Sequence, residues 1–272
     1  MSAKEVIVGK ALELLGDSAR GYETLHGGDL SDLLRVQLGS GESVVVKSGP
    51  YPDREGRMLS RLADAGANVP RPLASSADVL VLEDLGPDSG ATDQSWRALG
   101  LVLSDVHSAR AEGYGWDEDY AFGSVKIRNG WSESWTDFWV ERRLADDLGT
   151  LPAAVARRLE QGERRIRDVV PDRPPPALLH GDLWSGNVHF TKTGRACLID
   201  PASYVGHAEV DLAMLSLFGA PPRAFWDAYG PLDDGWQHRR HLYQLWPALV
   251  HLRLFGEGYR PLVERLMSAL DV

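Results

Sequence analysis

The sequence predicts an α+β fold of two lobes: a small antiparallel β-rich N-terminal lobe over residues 1–84 and a larger, mainly helical C-terminal lobe over residues 85–272. Three observations predict it. Between Tyr22 and Lys47, short runs rich in Val, Leu and Tyr alternate with glycine turns. After Gly86-Pro87, helical spacing of apolar residues dominates. At 272 residues, with 43% hydrophobic and 25% charged side chains, the chain can bury a large core without disulfides or a structural metal.

The elements follow in order. Ala3–Leu15 sets Val6, Ile7, Leu12, Leu14 and Leu15 mostly on one helical face, and Gly16 offers a C-terminal stop. Strands are expected at Tyr22–His26, Leu33–Leu38 and Ser43–Lys47, joined by Gly27-Gly28-Asp29 and Gly39-Ser40-Gly41 as an antiparallel meander. A helix over Arg54–Ala65 and a connector over Pro70–Pro72 precede the apolar run Val79–Leu82, which ends at Glu83-Asp84. The lobe boundary is expected near Asp84–Pro87. Helical spacing then covers Gln94–Ser108, Trp135–Asp147 and Ala153–Val169, and Pro171–Pro176 interrupts it. It resumes over Val210–Phe218, Arg223–Tyr229, Trp236–Leu254 and Arg260–Leu270. Two lobes imply a cleft, a common place for ligands.

A net charge of −10, from 39 acidic and 29 basic residues, argues against nucleic acid or an anionic membrane as partner. It leaves room for an anionic cofactor held by a local set of Lys, Mg²⁺ and backbone N–H groups. The single Cys197 cannot form an intramolecular bridge, and its run Ala196–Ile199 suits a small buried residue. Met1–Glu5 leads into an amphipathic segment instead of an apolar signal core, and no stretch approaches membrane-spanning length. The expectation is a cytoplasmic monomer.

The residues that carry chemistry cluster in Leu178-Leu179-His180-Gly181-Asp182-Leu183-Trp184-Ser185-Gly186-Asn187-Val188 and in Cys197-Leu198-Ile199-Asp200-Pro201. Two short apolar strands each present an acid, with the Asp182, Asn187 and Asp200 spacing of kinase catalytic and metal-binding loops. Phosphoryl transfer needs positioning and charge neutralisation around the γ-phosphate of ATP. Asp182 suits the base that takes the substrate hydroxyl's proton, and Asn187 and Asp200 supply hard oxygen ligands for Mg²⁺. The competing reading makes Asp182 and Asp200 turn caps. His180 reads either as a base or as a scaffold bonded to the backbone near Asp200.

Lys47 ends Val44-Val45-Val46 as a phosphate-binding strand lysine would, and Glu55 is its candidate partner across a short gap. Gly27 and Gly28 could arch over the phosphates or form an ordinary hairpin turn. Glu83, Asp84 and Leu85 in the hinge would offer backbone groups to adenine.

Together these residues resemble the fructosamine (ketosamine) kinases, relatives of aminoglycoside and choline kinases within the protein-kinase-like fold. Beyond His180–Asn187 and Asp200, the resemblance rests on Ile199-Asp200-Pro201-Ala202, Tyr204–Met214, Leu217-Phe218-Gly219, and Leu242–Leu245 through His251 to Phe255-Gly256. It implies ATP-dependent phosphorylation of the C3 hydroxyl of ketosamines such as ribulosamine or fructosamine adducts on lysine, in deglycation repair. It implies Asp182 as base, Asn187 and Asp200 as Mg²⁺ ligands and Lys47 on the ATP phosphates. It further implies Asp211 as a buttress of the catalytic loop, Trp184 as a wall for the sugar unless it is core, and His251 facing the sugar pocket unless it merely packs. Two positions depart from the family pattern. Asp29 replaces a Cys frequent in the glycine turn, and Ile127 stands where a Gln is usual, which implies altered substrate contacts. The alternatives are an aminoglycoside- or choline-type phosphotransferase and, in another class, a non-catalytic nucleotide-binding module.

Overall fold

Ser2 opens the first helix, α1 (Ala3–Leu15), with a capping box: its hydroxyl accepts the Glu5 N–H, and the Glu5 carboxylate accepts the Ser2 N–H at 2.6 Å. Gly16, in the left-handed conformation, ends it. The computed structural model describes residues 2–25, 33–109 and 111–272. The expected glycine turn at Gly27, Gly28 and Asp29 lies outside these described residues.

A five-stranded antiparallel sheet follows, built from β1 (Ala19–Thr24), β2 (Leu33–Leu38), β3 (Ser43–Lys47), β4 (Pro72–Ser75) and β5 (Leu80–Glu83) in the order β1-β2-β3-β5-β4. The meander therefore holds for β1 to β3, and β5 inserts beside β3. Alternation sends Leu34, Val36, Leu38, Val44 and Val46 to one face, where Val8 and Ala11 of α1 bury them. On the other face, Leu59 of α2 (Pro52–Asp64) packs on Leu80 and Leu82, while Met58 and Leu62 of the same helix enter the larger core. Helix α2 thus joins the sheet to the helical part.

The rest is mainly helical: α3 (Asp93–His107), α4 (Trp135–Trp139), α5 (Ala153–Val169), α6 (Glu209–Leu215), α7 (Arg223–Tyr229), α8 (Trp236–Phe255) and α9 (Arg260–Ala269). Among these run three strand pairs: the hairpin β6 (Tyr120–Phe122) with β7 (Val125–Ile127), β8 (Pro176–Leu179) with β11 (Tyr204–His207), and β9 (Val188–Phe190) with β10 (Ala196–Leu198). No helix among the described residues is long and apolar enough to cross a membrane.

One sequence expectation needs correction. The helix expected over Trp135–Asp147 changes to a π-helical turn at Val140–Leu144. That turn carries the fully buried Arg143, whose guanidinium donates to the carbonyls of Arg128 and Arg142 and to Asn129 Oδ1. It lies 4.3–5.0 Å from the ring centroids of Phe138, Tyr204 and Trp246. Stacking on aromatic faces lets a buried cation persist here without a carboxylate bonded to it. Ile127, the departure from the family's Gln, is core: it is 2% exposed, pairs with Tyr120 across the hairpin and lies outside the cavity lining.

Candidate active site

The two acid-bearing loops are locked together by backbone geometry. Strand β8 ends at Leu179, His180 follows, and Gly181 turns the chain with φ +84°; a Cβ there would sit 2.0 Å from the Ala202 carbonyl oxygen, so only glycine fits. The His180 ring is buried. Its Nε2–H donates to the Ile199 carbonyl at 2.9 Å, and its Nδ1 accepts the Asp182 N–H at 3.3 Å. Of the two readings of His180, this is the scaffold. Ala202 N–H donates to the His180 carbonyl and Ile199 N–H to that of Asn187, which fixes Asp200 against the Asp182 loop.

Asp211, fully buried at the third residue of α6, accepts the backbone N–H groups of His180 and Gly181 at 2.7 and 2.9 Å. His107 Nε2–H reaches the same carboxylate at 3.2 Å, and Tyr229 O–H donates to His107 Nδ1. A carboxylate accepting this many donors is a rigid support, the buttress that the family resemblance implies.

Lys47, at the end of β3, donates to Glu55 Oε1 at 2.8 Å and lies 2.9 Å from Asp200 Oδ1. The short gap between Lys47 and Glu55 closes because Pro52 begins α2 immediately after Tyr51, itself at φ +58°, which brings Glu55 into the first helical turn. Burial works against the Lys47 charge, but Glu55 and Asp200 outweigh it and hold the ammonium above its ordinary pKa. Tyr120 O–H points at Glu55 Oε2 from 3.4 Å.

Asn187 Nδ2 donates to the Asp182 carbonyl at 2.8 Å and to Asp182 Oδ2 at 3.0 Å. Its Oδ1 therefore stays available as a ligand atom. Burial lifts the Asp182 carboxyl to about 7; the Asn187 hydrogen bond opposes this, and the Asp200 and Asp211 carboxylates add to it.

These groups line one cavity of about 960 Å³, near the upper end of the roughly 300–1,000 Å³ usual for small-molecule sites. Lys47, Glu55, Asp182, Trp184, Asn187, Asp200 and His251 all line it. Trp184 is 37% exposed and stands against Phe218, so the core reading falls. Its ring packs over Gly186, where a Cβ would meet Trp184 Cη2 at 2.2 Å. His251 donates through Nδ1–H to the Pro247 carbonyl and sits between Phe218 and Tyr259.

Glu83, Asp84 and Leu85 lie outside this lining. The Glu83 N–H is already bonded to the Arg71 carbonyl, and the Asp84 carboxylate accepts from Arg35, Ser43 and the Gly86 N–H. Sequence reasoning missed Tyr120, Phe122, Phe255 and Tyr259 as cavity walls. The sequence cue to the hairpin that carries the first two was the Gly123-Ser124 turn alone.

Comparison with known proteins gives the family of the chain. A family model described as fructosamine kinase matches residues 15–271. A Thermus thermophilus protein named "Probable ketoamine kinase" is 36% identical over 257 residues, 90% of this chain and 92% of that one. The chloroplastic protein-ribulosamine 3-kinase of Oryza sativa subsp. indica is 31% identical, over 97% of this chain and 80% of its own. A Thermobifida fusca crystal structure assigned as a fructosamine-3-kinase superposes with a TM-score of 0.88 at 31% identity, covering 99% of both chains. A choline kinase of Streptococcus pneumoniae, at 18% identity, TM-score 0.69 and 99% coverage of both chains, shares the protein-kinase-like fold. On the family match along nearly its whole length, this chain belongs to the fructosamine kinase family.

Proposed function

We propose that the chain is an ATP-dependent kinase that phosphorylates the C3 hydroxyl of ketosamines, such as ribulosamine or fructosamine adducts, as a step of protein deglycation. The observation that carries this reading is the convergence, in one cavity, of the Lys47–Glu55–Asp200 charge cluster, the Asp182–Asn187 pair and the half-exposed Trp184.

The roles follow from the chemistry of each group. Asp182 takes the proton of the acceptor hydroxyl as its oxygen attacks the γ-phosphorus; the bond to the bridging oxygen breaks and ADP leaves. Lys47, kept charged and fixed by Glu55, neutralises the ATP phosphates. Asn187 Oδ1 and the Asp200 carboxylate form an all-oxygen donor set that fits Mg²⁺ and would hold it beside the ATP phosphates; among the described residues no cluster of three or more His, Cys, Asp or Glu competes for a metal. When bound, Mg²⁺ would neutralise charge on the phosphates. Asp182 orients Asn187, and Asp211 holds the loop that carries Asp182. Trp184 offers its face to the sugar, and His251 borders the same pocket.

We place the enzyme in the cytoplasm as a monomer. Choline and aminoglycoside phosphotransferases share the fold at 18% and 17% identity, a likeness that carries the fold alone. A non-catalytic nucleotide binder would have no use for Asp182 and Asn187 bonded beside Asp200.

The test is ADP release with ATP, Mg²⁺ and a panel of ribulosyl-lysine, fructosyl-lysine, choline and aminoglycosides. Turnover of the ketosamines is expected. Turnover of aminoglycosides or choline alone would reject the reading.

A further inference from the structure

The charged side chains lining the cavity, among the described residues, are Lys47, Glu55, Asp182 and Asp200, and ion pairing and the Asp182–Asn187 loop bring them to one region. Past Trp184 the wall changes character. Ring centroids step from Trp184 to Phe218 (6.2 Å), from Phe218 to His251 (5.1 Å) and from His251 to Tyr259 (4.9 Å), with Phe255 5.5 Å from His251. Phe218 and Phe255 are 46% and 44% exposed, unlike the buried aromatics of the core. Contiguous exposed aromatic surface opening from a polar reaction site calls for an apolar ligand segment to cover it. The His251 ring keeps this stretch uncharged: Nδ1–H is spent on the Pro247 carbonyl, and burial lowers the ring's pKa.

We propose that Phe218, Phe255 and Tyr259 form a specificity subsite for the unbranched methylene stem of the amine that carries the ketosamine. This rests on the ketosamine kinase reading above. With the sugar at Asp182 and Trp184, the carrier leaves through this trough. The protonated secondary amine then lies among aromatic faces, which attract a cation. The methylenes beyond it gain apolar burial. A carrier joined through an α-amino group would instead bring its carboxylate to a wall that offers no cation and toward the carboxylates of Asp182 and Asp200. Such a group is left unpaired and repelled.

The experiment compares kcat/KM for ribulosamines of methylamine, butylamine, Nα-acetyl-lysine (through Nε) and glycine, with ATP and Mg²⁺. A buried methylene is worth about a fourfold factor at most. The wild type should therefore favour butylamine over methylamine by roughly tenfold or more, with the lysine adduct similar and the glycine adduct lowest. In Phe218→Ala/Phe255→Ala the butylamine-to-methylamine ratio should fall below about threefold, a ratio that a general loss of active protein does not alter. Equal kcat/KM along the alkyl series in the wild type, or an unchanged ratio in the double variant, overturns the subsite while leaving the kinase reading intact. No turnover of any ribulosamine overturns both.

Discussion

As the proposed base, Asp182 stands between two demands: it must be basic enough to take a proton and still be held in place. Burial raises its pKa, while Asn187 bonds to both its carbonyl and its carboxylate. Asp182→Asn is expected to lower the rate of transfer by about 10²-fold or more with Mg–ATP affinity retained, read by quench-flow beside calorimetry. An unchanged rate removes Asp182 from the chemistry. Gly181→Ala acts differently. Its Cβ would collide with the Ala202 carbonyl in a backbone conformation L-residues avoid, so a loss of at least ~2 kcal/mol is expected in denaturant titration. His207 supplies a pH signature away from the reacting groups. It is buried beside Tyr243, whose O–H donates to Nδ1 while accepting from Trp135 Nε1–H, and burial, with Arg239 and His107 nearby, lowers its pKa to about 3. Between the ordinary value near 6.5 and 3 the unfolded chain binds a proton there and the folded chain does not. Its contribution to stability is therefore complete above pH 6.5 and declines as the pH falls toward 3. His207→Gln should flatten the loss of stability between pH 6.5 and 4; an identical slope would contradict this.

At the scale of elements, α2 sets the side of the site proposed to take the phosphates. Its first turn delivers Glu55 to Lys47, and Arg57 forks onto the Glu118 carboxylate in the segment leading into the β6–β7 hairpin. Glu55→Gln leaves Lys47 with Asp200 as its one anionic partner, and the KM for ATP is expected to rise about tenfold or more, with a smaller change for the ketosamine. A change confined to the ketosamine would place Glu55 on the acceptor side. Much of this architecture was readable from sequence. Helices α1, α5 and α7 and strands β2 and β3 match their expected limits because apolar period and glycine or proline punctuation coincide there. The pairs β6–β7 and β8–β11 did not stand out. Three- and four-residue strands carry too little alternation, and β11 owes its pairing to a partner 25 or more residues away in the chain. Ile127, read as a departure from the family's Gln, was hard to place for the same reason. Without the hairpin its inward direction is invisible.

Across the whole molecule, the acids that follow β8 and β10, Asp182 and Asp200, and the lysine that ends β3 were legible because a fixed backbone spacing marks them. The aromatic trough was not, since Phe255 and Tyr259 read as ordinary apolar positions near the ends of α8 and α9 until the fold leaves them at the mouth of the cavity. The sheet brings Lys47, α2 brings Glu55, and the helical part brings Asp182, Asn187 and Asp200, so the site exists only where the two parts meet. One measurement tests this account most directly: locating the phosphate by ³¹P and ¹³C NMR on ribulosyl-lysine after incubation with ATP, Mg²⁺ and the enzyme. The account predicts one phosphate, on the C3 oxygen, with one ADP formed per product and none beyond background from Asp182→Asn. Phosphate on another hydroxyl, or C3 phosphate made equally well by Asp182→Asn, would contradict it.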